Sequence, residues 1–350
     1  MFKAKINLAI LSATVVLAVS ISSCKKDKDS NPTAVDPVVV TPGAYDKGVF
    51  VTNEGNFGVS SGTLSFANTA TNAVSNDVFA VVNSRPLGNV VQSMEIVNGR
   101  GYIVVNNSNK IEVVNAADMV STATITGLSS PRYCIGIDNS KAYVSQWGSG
   151  GVEEGVKIIN LTTNAVSGFI ATGSGAEKML KLGNFVYVTN SGAFGSDSTV
   201  TVINTTTDAV SQTIKVGLNP NSIQLDKNGK IWVMCGGLAN FINPASSIPA
   251  QLVRINPATN TIEASIIFTD NSKRTQGLTM NKAKDKLFYL DNFYGGSLYS
   301  FDITASSVSG SALINRSFLG LGIDPSDDKI YASVGITPTL KLSSKAALAL

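Results

Sequence analysis

One internal repeat constrains the fold of this chain more than any other feature of its sequence. Residues 156–173 (VKIINLTTNAVSGFIATG) align with residues 200–217 (VTVINTTTDAVSQTIKVG) at an offset of 44, with 10 identities in 18 positions. Each copy reads as an apolar-alternating strand, a polar tight turn and a second strand. Looser copies of the first strand recur at 111–115, 252–256 and 298–302. The chain is therefore built from repeated β-units.

A second marker precedes each of these strands, and it occurs seven times. It is a short apolar strand that in most copies ends in a small or polar residue, beginning at Phe50, Ile103, Tyr143, Tyr187, Trp232, Phe288 and Tyr331. Its spacing of 40 to 56 residues is that of a four-stranded propeller blade with variable loops. We therefore predict an all-β, seven-bladed β-propeller of four-stranded antiparallel blades. Only 19 residues follow Tyr331, so we expect the last blade to be incomplete.

The marker strand resembles the YVTN-type β-propeller repeat family, and the resemblance covers roughly residues 48–334. Tyr187-Val188-Thr189-Asn190 reproduces the motif in full. The resemblance implies a blade order of inner strand, YVTN strand, third strand and outer strand. The aromatic residues of the repeated strand are expected in the core between blades: Tyr143, Tyr187, Trp232 and Tyr331.

The N-terminus reads as an export signal. Lys3 and Lys5 precede an apolar run that is too short to span a bilayer, and the run ends in Ile21-Ser22-Ser23-Cys24. This ending resembles a bacterial lipobox, whereas the alternative is a plain secretory signal that happens to contain a cysteine. We expect residues 1–23 to be a lipoprotein signal peptide, residues 24–46 a lipidated Cys24 with a flexible tether, and residues 47–350 the propeller.

Composition excludes several kinds of chemistry. The chain has no histidine, which removes Ser-His-Asp triads, His-based metal sites and His acid–base catalysis. A formal charge of +3 in 350 residues gives no basic footprint for nucleic acid. No phosphate-binding loop or cysteine-rich metal motif is present, so we predict no catalytic residue, metal site or cofactor. Cys134 and Cys235 fall two blades apart, and we expect free or buried thiols.

The loops carry the candidate binding residues. Connections from the second to the third strand of a unit are long and irregular, and they share one predicted face with the blade-to-blade connections. Exposed aromatic and arginine side chains are the usual energetic anchors of binding surfaces. The candidate ligand-binding residues on this face are Phe57, Arg85, Arg132, Trp147, Phe194, Phe241, Arg274, Phe293, Tyr294 and Arg316.

Anchor, tether and propeller together resemble Bacteroidota-type surface lipoproteins. Some members bind cobalamin and pass it to a TonB-dependent outer-membrane transporter. The resemblance implies a cell-surface, non-enzymatic ligand-binding lipoprotein in the outer membrane, with a small molecule such as cobalamin as ligand and that type of transporter as partner. One alternative is an adhesive or structural surface protein that binds a protein or glycan. A second is a hydrolase or lyase whose carboxylates come from different blades.

Overall fold

The computed structural model describes residues 43–240, 242–292, 295–324 and 326–334. These residues form 26 strands, the short helix α1 (Val78–Asn83) and a 3-10 turn at Pro244–Ser246. Every pairing between neighbouring strands of a sheet is antiparallel. No helix in the described ranges has both the length and the apolarity that a membrane span requires. Cys24 and the expected signal and tether lie outside the described residues, except for the last part of the tether from residue 43.

The strands group into six four-stranded sheets, here called blades 1 to 6, and a C-terminal hairpin. Blade 1 contains β1 (Gly48–Asn53), β2 (Ser61–Asn68), β3 (Val74–Ser75) and β4 (Gly88–Asn89). Blade 2 contains β5 (Val91–Val97), β6 (Arg100–Val105), β7 (Lys110–Asn115) and β8 (Ser121–Ile125). Blade 3 contains β9 (Pro131–Gly136), β10 (Lys141–Gln146), β11 (Gly155–Asn160) and β12 (Ala165–Ala171). Blade 4 contains β13 (Ala176–Leu182), β14 (Phe185–Asn190), β15 (Thr199–Asn204) and β16 (Ala209–Lys215).

Blade 5 contains β17 (Pro220–Leu225), β18 (Ile231–Cys235), β19 (Gln251–Asn256) and β20 (Thr261–Ile267). Blade 6 contains β21 (Gln276–Met280), β22 (Lys286–Leu290), β23 (Gly296–Asp302) and β24 (Ile314–Phe318). The hairpin consists of β25 (Gly320–Ile323) and β26 (Ile330–Ser333). The first strands of successive sheets, from β1 through β5, β9, β13, β17 and β21 to β25, contact one another in chain order. This arrangement is a β-propeller, as the sequence predicts.

The expected count of seven four-stranded blades is wrong. Six blades have four strands, and the unit that begins at Tyr331 is described only as the two-stranded hairpin. Counting marker strands overestimates the number of blades, because a marker strand can occur without the three other strands that complete a blade. Tyr331 lies on β26, which pairs only with β25 among the described residues. In blade 1 the marker strand β1 is itself the first strand, and the short β4 completes the sheet by pairing with β2.

The hydrophobic core lies between adjacent blades. Each cluster of buried side chains draws its residues from two neighbouring sheets, as in the cluster that joins Tyr187 of blade 4 to Val233 of blade 5. Tyr143, Tyr187 and Trp232 are fully buried, which confirms their predicted place in the core, whereas Tyr331 is half-buried. The apolar marker strand therefore stabilises the fold by packing against the next blade.

Two of these tyrosines also make a polar contact that spans the same interface. Tyr143 donates its hydroxyl hydrogen bond to Asp208, and Tyr187 donates to Asn260 Oδ1 at 2.6 Å. Both acceptors occupy the left-handed backbone conformation in the last turn of the following blade. The equivalent Asn164 of blade 3 has a buried Oδ1 without a hydrogen-bond partner among the described residues. The strand register places Tyr102 of blade 2 at the position of Tyr143 and Tyr187, but its hydroxyl does not donate to Asn164 Oδ1.

Replacing Tyr187 with phenylalanine should lower the free energy of unfolding by about 1–2 kcal/mol, because Asn260 Oδ1 is left without its donor. Urea denaturation followed by circular dichroism measures the loss. Tyr299→Phe is the matched control, since the Tyr299 ring stacks on Tyr289 and its hydroxyl makes no hydrogen bond among the described residues. Equal losses in both variants would show that the hydrogen bond across the blades contributes nothing.

Candidate functional site

Long loops follow the marker strands β1, β10, β14 and β18 and lie on one face of the propeller. We call this the long-loop face and define it by residues 54–60, 147–154, 191–198 and 236–250. Hydrogen bonds tie these loops to blade-to-blade connections: Gly58 N to Asn89 Oδ1, Trp147 N to Ser130 O, Gly175 N to Glu154 Oε2, and Asn219 N to Asp197 O. Strand order and these contacts together place loops from four blades on the same side.

A β-bulge recurs in the first strands of the blades, at the centre of this face. In blade 3, Pro131 pairs with Gln146 and Cys134 pairs with Val144, so Arg132 and Tyr133 together oppose the single residue Ser145. A β-bulge of this kind redirects the side chains of the bulged strand. The Ser145 hydroxyl accepts a hydrogen bond from Tyr133 N at 3.1 Å, which holds the bulge in place.

The next blade repeats this construction. Ala176 pairs with Asn190 and Met179 pairs with Val188, so Glu177 and Lys178 oppose Thr189 alone. The Thr189 hydroxyl donates to Lys178 O at 3.1 Å. The third residue of the marker motif therefore supports, in two consecutive blades, a bulge whose residues face the site.

Arg132 and Glu177 form the best-connected ion pair of this region. Nε and Nη2 of Arg132 donate to the two carboxylate oxygens of Glu177 at 2.9 and 2.8 Å, and Trp147 Nε1 donates to Glu177 Oε2 at 2.7 Å. The Arg132 guanidinium stacks 4.1 Å from the Trp147 ring and also donates to Gln92 on β5. Burial alone would lower the pKa of Arg132, but the Glu177 carboxylate outweighs it and raises that pKa further above its ordinary range. Arg132 is therefore charged at every physiological pH.

The loops around this ion pair expose large apolar side chains to solvent. Phe194 is 91% exposed, and its ring meets the Trp147 ring edge-on at a centroid distance of 5.5 Å. Six exposed apolar residues come from the long loops, and we call them the apolar crown: Phe57, Val59, Val152, Phe194, Ile242 and Ile248. Four are more than 70% exposed. Exposed aromatic and aliphatic residues of this kind are candidates for contact with a partner that covers them.

A small cavity lies beneath the ion pair, among the first strands of blades 2, 3 and 4. Its volume is about 200 Å³. We call it the channel cavity, and its lining residues are Ser93, Met94, Glu95, Tyr133, Cys134, Ile135, Lys178 and Met179. It brings together the carboxyl group of Glu95, the amino group of Lys178 and the phenol of Tyr133, which the sequence alone does not identify as a site.

The structure brings together three of the predicted binding residues: Arg132, Trp147 and Phe194. Phe57 lies on the same face in another loop, and Arg274 donates to Ala239 O at 3.1 Å, which holds the 236–250 loop. Phe241, Phe293 and Tyr294 lie outside the described residues.

The structure separates two of the predicted arginines from this group. Arg85 lies between helix α1 and β4, in the connection from blade 1 to blade 2, and pairs with Glu112 and Ser121 on β7 and β8. The predicted position of Arg316 in a blade-to-blade connection is wrong, because this residue lies within the outer strand β24, with its guanidinium 6.0 Å from the Phe318 ring.

Sequence reasoning missed Gln92, Glu95 and Glu177. The available signal was a run of charged or polar residues at the start of inner strands that are otherwise apolar, opposite the third motif residue of the neighbouring strand.

The described residues contain no group of three or more His, Cys, Asp or Glu side chains arranged to hold a metal ion. Cys134 and Cys235 are free and buried, as expected. Burial raises the pKa of the Cys235 thiol to about 12 and raises that of Cys134 as well, so neither supplies a thiolate near neutral pH.

Comparison with known proteins agrees with this fold. The model of a family described as "Domain of unknown function (DUF5074)" matches residues 47–336. No curated protein sequence matches the chain. Among solved structures, a quinonprotein alcohol dehydrogenase-like protein from Bacteroides thetaiotaomicron is similar with a TM-score of 0.60 and 13% identity, covering 83% of this chain and 70% of that one.

Two further structures show the same architecture. The C-terminal WD40 domain of Sif2 has a TM-score of 0.55 at 10% identity, covering 78% of this chain and 73% of its own. Hydrazine synthase of Kuenenia stuttgartiensis has a TM-score of 0.52 at 14% identity, covering 67% and 70%. Likeness at such identities establishes the propeller fold alone.

Proposed function

The chain belongs to the DUF5074 family, and we propose that it is an exported, lipid-anchored, non-enzymatic propeller that binds a protein partner through its long-loop face. The apolar crown is the observation that carries this proposal. Exposed aromatic and aliphatic side chains from separate blades gain free energy when a partner covers them. The buried Arg132–Glu177 pair holds Trp147, and so gives the crown a rigid centre.

The size of the concave space favours a macromolecule. Pockets that enclose ligands of drug size measure roughly 300–1,000 Å³. The channel cavity, at about 200 Å³, is smaller. The crown instead spreads over four loops, which suits a broad contact with another protein. An outer-membrane transporter of the TonB-dependent type is a partner that a surface lipoprotein would meet at the membrane.

The proposal of an anchor rests on the lipobox ending in Cys24. Attached acyl chains would hold the protein at the membrane, and the residues up to 46 would act as a tether. The proposal of a non-enzymatic role is supported by the absence of histidine from the sequence and by the pairing of Glu177 with Arg132. A carboxylate that already accepts from arginine and tryptophan is a poor general base.

The crown is tested by replacing Phe57, Phe194 and Ile242 together with serine, in a chain that also carries Cys24→Ser so that lipid insertion does not contribute. Retention on outer-membrane preparations from the cell that makes the protein should fall at least tenfold, since two or three interface anchors each contribute about 1 kcal/mol or more. The matched control replaces Phe185, Val210 and Ile262 with serine, since these exposed apolar residues lie outside the long-loop face. Undiminished retention of the crown variant, or an equal loss in the control, would refute the proposal.

Capture of cobalamin is a second candidate, favoured by the Trp147–Phe194 pair beside Arg132. Such a group could cover a flat, amide-bearing ring system lying across the face, although the chain offers no imidazole to the cobalt. Calorimetric titration of the purified protein with cyanocobalamin tests it. Binding that is lost in Trp147→Ala would support this function, and no heat at micromolar concentrations would remove it.

A further inference from the structure

The channel cavity holds two opposite charges that do not neutralise each other by contact. Glu95 lies on β5 and Lys178 lies on β13, and β9 runs between these two strands. Both residues line the same space of about 200 Å³. Among the described residues, no salt bridge joins the Glu95 carboxylate to the Lys178 ammonium group at 4.0 Å or less. The cavity therefore has one acidic wall and one separate basic wall.

Glu95 is unusual among the half-buried and buried carboxylates near the axis. Glu177 is paired with Arg132, but Glu95 makes no hydrogen bond or ion pair within the described part of the chain. Burial raises the pKa of Glu95, and the positive charge of Lys178 opposes that rise. A carboxylate that is partly withdrawn from water and has no donor from the protein favours a ligand that supplies one.

Lys178 has an incomplete set of partners. Its Nζ lies 3.8 Å from the centroid of the Tyr133 ring, which satisfies one side of the ammonium group by a cation–π contact. In the described residues no carboxylate oxygen lies within ion-pair distance of Nζ, and three donor hydrogens leave room for an acceptor. The tyrosine thus orients the charge and leaves it available.

We propose that the channel cavity binds a small zwitterion of the size of glycine or alanine, whose ammonium group pairs with Glu95 and whose carboxylate pairs with Lys178. Water occupies about 30 Å³ per molecule, so the cavity has space for about six groups of that size. Met94, Ile135 and Met179 supply apolar walls for the short carbon skeleton. This site is independent of the protein partner proposed for the crown.

The arrangement also predicts selectivity. A ligand with only an ammonium group would satisfy Glu95 but would place a second cation near Lys178. A ligand with only a carboxylate would meet the converse repulsion from Glu95. Only a molecule that carries both charges pairs with Glu95 and Lys178 at the same time.

The selectivity is measured on the unaltered protein by calorimetry or ligand-observed NMR with glycine, glycinamide and acetate. We expect saturable binding of glycine and binding of glycinamide and acetate that is at least tenfold weaker. Because this comparison needs no mutation, misfolding cannot affect it. Absence of saturable glycine binding, or equal binding of the three compounds, would overturn the proposal.

Two variants then test whether Glu95 and Lys178 are the residues that bind glycine. Glu95→Gln and Lys178→Met should each weaken glycine binding about tenfold, because each removes one charge-assisted contact. Lys181→Met is the matched control, since Lys181 lies on the same strand and is exposed outside the cavity. Thermal unfolding checks that each variant is folded. Glycine affinity unchanged in Glu95→Gln, or reduced equally in Lys181→Met, would contradict the assignment.

Discussion

Replacing Arg132 with methionine should lower the free energy of unfolding by about 3–5 kcal/mol, the largest effect expected for a single substitution in this chain. The Arg132 and Glu177 side chains are only 15% and 8% exposed, so their charges are withdrawn from water and depend on each other. Methionine fills similar space but leaves the Glu177 carboxylate with the Trp147 donor alone. Denaturant unfolding monitored by tryptophan fluorescence and circular dichroism measures the loss.

Arg254→Met is the matched control for this prediction. The Arg254 guanidinium also lies over a tryptophan ring, at 5.5 Å from Trp232, and forms an ion pair with Glu263 at 3.4 Å. That pair is partly exposed, so its loss should cost much less stability than the loss of the Arg132–Glu177 pair. Adding Glu177→Met to Arg132→Met should recover part of the lost stability, because the unpaired charge is then removed. Equal costs for the two arginines would contradict the buried-pair account.

Replacing Glu112 with glutamine should cost about 2–3 kcal/mol at neutral pH, the second large effect. The Glu112 carboxylate is fully buried on β7 and accepts hydrogen bonds from Arg85, Lys110 at 3.1 Å and Ser121 at 2.6 Å. Glutamine has one acceptor oxygen, and its amide hydrogens would point towards cations. The cost is smaller than for Arg132 because Arg85 and Lys110 are partly exposed and regain water.

The same substitution should alter the acid sensitivity of the fold. Burial would raise the pKa of Glu112, but the hydrogen bonds from Arg85, Ser121 and Lys110 together outweigh it and leave that pKa below its usual value. A carboxylate with a lowered folded-state pKa contributes stability above its unfolded pKa, about 4.3, and this contribution is lost as pH falls through the folded pKa. The difference between the original protein and Glu112→Gln, measured at pH 7, 5 and 3.5, should therefore shrink on acidification. A constant difference would show that the charge is not responsible.

Much of the fold could be predicted because each unit has to bury apolar side chains against the next blade. Tyr143 and Tyr187 follow the period that places apolar side chains between blades, and both are buried there. The number of blades could not be predicted in the same way. A marker strand such as the one at Tyr331 shows that a unit begins, but the other strands depend on pairing at distant positions.

The residues of the site that lie in loops could be predicted from the sequence, whereas those that lie in strands could not. Trp147 and Phe194 stand out as aromatic residues in polar loops, and the structure brings them together. Glu177 reads as an ordinary position of an inner strand, because a bulge that turns it towards the axis leaves no mark in the alternation of a single sequence. The ion pair of Arg85 with Glu112 could not be predicted, because the two residues are distant in sequence.

The central claim, that the long-loop face is the binding surface, is tested most directly by photo-crosslinking in the cell that makes the protein. A benzophenone amino acid placed at position 194 or 242, both almost fully exposed on the crown, should give the same crosslinked protein product. The same group at position 185, at the opposite end of strand β14, should give none. No product from the crown positions, or an equal yield of the same product from position 185, would contradict the claim.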